Sequence, residues 1–153
     1  MTRTIRFKQI RPVFETLTIK EELPEYINPK DRFTSSSQVW ELFRFLGRET
    51  KEYVYALHLD GKNRISCLEM VSCGSLNQSI VHPREVFKTA LLSSAAALIV
   101  IHNHPTGDTT PSREDIDLTK RLKEVSEIIG IRLLDHIIVA EAEYTSLADR
   151  GVI

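Results

Sequence analysis

The sequence predicts an α/β domain in which a mixed β-sheet is flanked by helices. Three observations lead there. The run Ala95 to Ile101 is continuously apolar and rich in Ile and Val, the pattern of a central strand covered on both faces. Stretches with helical spacing stand on either side of that run in the chain. Two further strand-like runs, Tyr53 to Leu59 and Arg64 to Val71, are separated by Asp60-Gly61-Lys62-Asn63, a hairpin signal. The order helix, hairpin, helix, strand, helix, strand is that of a sheet sandwiched between helices.

Residues 1 to about 30 mix charges with Pro12, Pro24 and Pro29 and hold no period, so an irregular arm is expected, with one strand around Thr16 to Ile19. Ser35, Ser36 and Ser37 offer N-caps to a helix that turns Val39, Trp40, Leu42, Phe43 and Leu46 inward and stops at Gly47. After the hairpin, Gly74 to Gln78 reads as loop and Ser79 to His82 as a short extended piece. Pro83 suits a first helical position, and the helix continues from Glu85 to Ser94. Beyond the central strand, the loop Asn103 to Pro111 leads to a helix from Ser112 to about Ile129. Its inner stripe is Ile116, Leu118, Leu122, Val125 and Ile128, and Gly130 ends it. Ile131 to Ala140 is the last clear strand, and the tail from Tyr144 reads as a short turn or helix.

A chain of 153 residues has room for one core, so a single domain over 31–153 with an arm over 1–30 is expected. The longest apolar run is too short to span a bilayer, and no basic start followed by an apolar segment opens the sequence. Cys67 and Cys73 lie in strand-like sequence without Cys-x-x-Cys spacing and read as reduced, buried thiols. These features together predict a cytoplasmic protein with no membrane partner. A net charge of −1 argues against a protein whose main task is neutralising phosphates. The one basic cluster, Arg3, Arg6, Lys8 and Arg11, reads as a solvated arm.

The chemistry is concentrated after the central strand. His102 and His104 are two residues apart, so in extended backbone they face one side, about 6.6 Å apart at roughly 3.3 Å per residue. Pro105 takes the chain out of the sheet, and a loop brings Asp115 in at the first turn of the next helix. Two imidazoles and one carboxylate suit zinc, and three protein ligands leave a fourth position for water. His-x-His alone is a weak signal, and Ser112-x-x-Asp115 alone is an ordinary helix start. Both in one frame, with Pro105 between them, form a far rarer pattern.

The stretches His102-Asn103-His104-Pro105-Thr106-Gly107-Asp108 and Pro111-Ser112-Arg113-Glu114-Asp115 resemble the JAMM motif as it occurs in the RadC family of bacterial proteins. Val81-His82-Pro83-Arg84-Glu85-Val86-Phe87 and Leu134-Asp135-His136-Ile137-Ile138-Val139 resemble that family too, and the likeness covers about residues 31 to 153. It implies an MPN/JAB fold, a cytidine-deaminase-like sandwich, with one zinc on His102, His104 and Asp115. It further implies that Ser112 stabilises an oxyanion, and that a glutamate upstream of the motif moves the proton without binding metal. Full-length RadC proteins carry a helix-hairpin-helix segment ahead of this domain. The thirty residues that precede it here lack the Gly-rich helical-hairpin pattern, so the family's association with DNA repair carries little weight.

Three glutamates compete for the role of general base. Glu52 opens the first hairpin strand and shares a face with Val54 and Ala56. Glu69 lies inside the second strand, on the face of Ile65, Cys67 and Val71. Glu85 sits at a helix start, where the dipole alone accounts for an acid. In the family the base opens the strand preceding the hairpin, which favours Glu52. Asp135-His136 falls in a buried strand and is expected to play a structural or supporting role to the metal site.

The leading functional reading is a zinc metallopeptidase or isopeptidase-like hydrolase, acting on a peptide or isopeptide. Other His-x-His hydrolases fit poorly. A TIM-barrel amidohydrolase needs about 250 residues. Thr106 and Gly107 stand where a metallo-β-lactamase-like site wants Asp-His, and Thr109 where a cupin-like site wants glutamate. The alternative is a non-catalytic zinc-binding module acting in DNA transactions or on a protein partner; the intact ligand set favours the enzyme.

Overall fold

The computed structural model describes residues 6–74 and 81–153. Arg3, most of the expected Gly74–Gln78 loop and the first two residues of the Ser79–His82 piece lie outside them. Residues 6–35 contain no helix or strand, so the strand expected at Thr16 to Ile19 is absent. That segment pairs with no neighbouring strand, and β-propensity without a ladder partner does not make a strand.

Helix α1, Ser36–Phe43, starts at an N-cap formed by Ser35, whose hydroxyl accepts from the Gln38 amide in a capping box. A 3-10 turn, Arg44–Arg48, extends it. Gly47 lies inside that turn and is not its stop. A Cβ there would stand 2.1 Å from the Glu141 nitrogen, so the glycine is required for close backbone approach. Strands β1 (Glu52–Leu59) and β2 (Ile65–Gly74) form the expected hairpin. The Asp60 carboxylate accepts from the Lys62 and Arg64 amides, and Asn63 takes the left-handed position at φ 59°. Helix α2, Pro83–Leu92, has Pro83 at its start. Strand β3, Ala97–Asn103, is buried throughout and runs two residues past the expected end, so His102 belongs to the sheet.

Helix α3, Arg113–Ile129, is capped by Ser112 and ends at left-handed Gly130. Its buried stripe is Thr119, Leu122 and Ser126, with Ile129 packed beside it, while Ile128 points to solvent at 82% exposure. Strand β4 spans Arg132–Val139, and the tail supplies a fifth strand, β5 (Tyr144–Ser146), before its turn. The tail looked strandless because β5 is only three residues long.

The sheet order is β2-β1-β3-β4-β5; β3 and β4 are parallel and every other pair is antiparallel. Alternation along the strands divides the core in two. Val54, Ala56, Leu98, Val100 and Leu133 meet α2 and α3, while Leu57, Leu59, Ile99, Ile101 and Ile137 meet α1. The fold is thus a mixed α/β sandwich with helices on both faces, as expected. A bulge at Ser66 shifts the β1–β2 register, so Ile65 lies on the α1 side while Cys67 and Glu69 pair with His58 and Ala56 on the other. Glu69 does not share a face with Ile65. Cys67 and Cys73 are both free, and Cys73 is exposed because β2 is an edge strand. Among the described residues, no helix is long and apolar enough to cross a membrane.

One buried residue of β1 predicts acid sensitivity. His58 is fully buried, its Nδ1 lies 2.8 Å from the Ser93 hydroxyl, and burial pushes its pKa from 6.5 to about 4. The unfolded chain therefore binds more protons between those values, so stability is complete above pH 6.5 and falls as pH drops towards 4. At 1.36 kcal/mol per unit the loss is about 3 kcal/mol. Denaturant melts across this window should show His58→Gln with a shallower acid limb than the parent. Identical limbs would place the proton uptake elsewhere.

Candidate metal centre

The end of β3 and the start of α3 build the site. His102 is buried in β3, on the face that carries Leu98 and Val100 towards α3. His104 follows just beyond the strand, half-buried, with its Nδ1 donating to the Asp108 carbonyl at 2.7 Å. A carbonyl can only accept, so that bond leaves the His104 Nε2 lone pair aimed at the site. Asp115 is the third residue of α3. Its Oδ2 accepts from the Ser112 amide at 2.7 Å while the Ser112 hydroxyl accepts from the Asp115 amide at 3.1 Å. The helix start and the candidate ligand Asp115 are therefore one device, because the capping box that opens α3 also holds the carboxylate.

His102 Nε2 stands 3.0 Å from His104 Nε2 and 3.2 Å from Asp115 Oδ1, and His104 Nε2 stands 3.3 Å from Asp115 Oδ2. Among the described residues, these three are the group of side chains that could hold a metal ion. Burial opposes ionisation of Asp115 most strongly. The two imidazoles and the Ser112 contact outweigh it and hold the carboxyl well below the usual carboxylate range. Asp115 in turn, chiefly through its hydrogen bond, raises the His104 pKa, against partial burial. An anionic carboxylate among inward-facing nitrogens calls for a cation at its centre, and a metal ion fits that donor set.

Glu52 opens β1, half-buried, on the side of the sheet that carries Val54 and Ala56. Val54 pairs with His102 across an antiparallel ladder, so the register continued by two residues sets Glu52 opposite His104. Its charge also contributes to raising His104. Glu69 pairs with Ala56, four residues further along β1, or about 13 Å at roughly 3.3 Å per residue. Glu85 lies in the first turn of α2, bound to Lys88 at 2.7 Å. The structure thus places Glu52 near His104, while Glu69 lies further along the hairpin and Glu85 is paired with Lys88.

Three contributors were not singled out from sequence. Asn103, between the two histidines, is fully buried; its amide donates to the Lys51 carbonyl at 2.9 Å and accepts from the Tyr53 amide at 2.8 Å. It grips the backbone on both sides of Glu52 and adds a side-chain rung where the β1–β3 ladder ends. The Asp108 carbonyl orients His104. Thr119, one turn beyond Asp115 on the inner stripe of α3, bonds the Asp115 carbonyl and the ring of His136. Its i+4 spacing from Asp115 was the available signal. His136 is buried against His102, with its Nε2 2.8 Å from His102 Nδ1. Asp135 accepts from the Ser146 hydroxyl and from the amides of His136 and Ala148, tying β4 to β5 and the tail.

A small mixed sheet between helices, with a His-His-Asp cluster where a strand runs into a helix, is what the resemblance to the RadC family implied. The model of that family matches residues 33–152, and the chain belongs to the RadC family. Among curated proteins it is similar to a UPF0758 protein of Pelobacter propionicus, 60% identical over 124 residues that make up 80% of this chain and 54% of that one. A UPF0758 protein of Geotalea uraniireducens is 58% identical over 123 residues, again 80% of this chain and 54% of the relative. One from Methanosarcina mazei is 47% identical over 146 residues, 95% of this chain and 63% of the relative. The chain spans little more than half the length of these relatives.

Proposed function

We propose that this domain is a zinc-dependent hydrolase of the JAMM type that cleaves an amide bond of peptide or isopeptide character. The observation that carries the reading is the spacing of the three ligand side chains. Atoms bound tetrahedrally at roughly 2.0–2.1 Å stand about 3.3 Å from one another. Here the two Nε2 atoms stand 3.0 Å apart, each has one of the two Asp115 oxygens at 3.2 or 3.3 Å, and one ligand atom from each residue lies within 4.8 Å of the others.

His102, His104 and Asp115 would hold the ion, one per chain. When bound, such an ion acidifies a water and polarises a carbonyl. Glu52, set opposite His104, takes the proton from the attacking water and passes it to the leaving amine. Asn103 fixes the position of that carboxylate through the backbone on either side of it. The Ser112 hydroxyl accepts from the Asp115 amide, which leaves its own hydrogen to donate to the oxyanion that develops on the substrate carbonyl.

Elemental analysis of the purified chain tests the metal. One zinc per chain is expected, and none in the His102→Ala/His104→Ala double variant. That variant should still fold, because a domain of this size buries enough surface without a metal. Full occupancy in the double variant would refute the ligand assignment. A loaded parent that cleaves no member of a peptide or isopeptide library would favour a binding module, with DNA or a protein as its partner.

A further inference from the structure

Behind the ligands lies a second set of contacts whose direction is fixed by chemistry. Thr119 Oγ1 stands 2.6 Å from the carbonyl oxygen of Asp115. A carbonyl has no hydrogen, so the threonine donates, and its single proton is used there. The same Oγ1 stands 2.6 Å from His136 Nδ1 and has only a lone pair left for it, so His136 Nδ1 carries a hydrogen. His136 lies wholly inside the protein, and among the described residues its ring bonds only Thr119 and His102, with no carboxylate to hold a second proton, so its Nε2 is a bare acceptor. That acceptor is 2.8 Å from His102 Nδ1, which must therefore be the donor. A neutral His102 with hydrogen on Nδ1 has its free lone pair on Nε2, the atom facing His104 and Asp115.

We propose that Thr119 and His136 are positioning residues that set the tautomer of His102, so that its Nε2 lone pair is committed to the metal before the metal arrives. The inference rests on the zinc reading above for its purpose, but not for its geometry. The contacts form a closed path that begins at the Asp115 backbone and returns to the Asp115 side chain. The helix carrying one ligand thereby dictates the protonation pattern of another ligand on the sheet. Without this control the two tautomers of His102 would compete, and the one with hydrogen on Nε2 would oppose a cation. Thr119 matters for its hydroxyl and not for its bulk, which separates this role from packing.

The test uses the full chain and reads the tautomer directly. Nitrogen-15 shifts of the histidine rings, recorded on metal-free protein at alkaline pH, should show hydrogen on Nδ1 of both His102 and His136. Thr119→Val keeps shape but removes the hydroxyl that accepts from His136; it should admit the other His102 tautomer and weaken zinc, measured by chelator competition, by about ten- to a hundredfold. Thr119→Ser should restore both readings to near parent values. A parent whose His136 carries its hydrogen on Nε2 would overturn the relay, and this needs no variant to fold. So would a folded Thr119→Val protein with an unchanged His102 tautomer and unchanged zinc affinity, and that result would leave the zinc reading intact. The expected tautomers in a parent that takes up no zinc would instead uphold the relay and refute the zinc reading.

Discussion

Glu52→Gln should lower amide hydrolysis by about a hundredfold or more, the usual contribution of a positioned general base. Zinc affinity should stay at the parent value. The substitution keeps size and polarity and removes only the capacity to take a proton. Asn103 grips the backbone on either side of residue 52, so the strand should hold its place in the variant. Steady-state kinetics on a substrate from the library screen, with chelator competition alongside, reads both quantities. Lost zinc would make Glu52 a ligand or a structural residue. Full turnover with zinc retained would remove it from the mechanism, and Glu69→Gln and Glu85→Gln would then be compared.

Asp115→Asn should act on the metal itself. Asp115 is the anionic member of the ligand set, so zinc affinity should fall more than a hundredfold, beyond the ten- to hundredfold typical of groups behind the ligands. The fold should be spared, because an asparagine oxygen can still accept from the Ser112 amide and keep α3 capped. Chelator competition with a thermal melt separates the two effects. In the parent, zinc should compete with a proton on His104, whose pKa is raised. Affinity should therefore begin to fall at a higher pH than an ordinary imidazole would give, and keep falling as the solution is acidified. In the metal-free chain, the protonated His104–Asp115 pair adds stability that is complete below pH 6.5 and lost as pH rises through the raised value. An Asp115→Asn protein that binds zinc as tightly as the parent would remove Asp115 from the ligand set.

The parts of this architecture that could be read from sequence are those written in local chemistry. The apolar run of β3, Pro83 at the head of α2, the Ser112 cap and Gly130 each act within a few residues, so their elements were legible. The cluster of His102, His104 and Asp115 was legible for the same reason, since one strand end, one loop and one helix start carry all three. Glu69 was placed with Ile65 because strict alternation was assumed, and the bulge at Ser66 breaks it. Ile128 was counted inward although Ile129 fills that place, an error of one residue that on a helix amounts to about 100°. Asn103 and Thr119 were overlooked because their roles depend on partners 52 and 17 positions away. No local pattern announces the Asn103 pairing, and the i+4 spacing of Thr119 points to the Asp115 carbonyl but not to His136.

The Asn103 rung has a further consequence for how the site spends free energy. Strand ends normally fray, and a residue at such an end loses entropy only when something binds. Here the peptide groups flanking residue 52 are held by a side chain from the strand that carries His102, so their ordering is completed during folding. The backbone that carries Glu52 is thus tied to the strand end that carries the two histidines. Under the hydrolase reading, binding energy from a substrate goes to orienting the substrate itself.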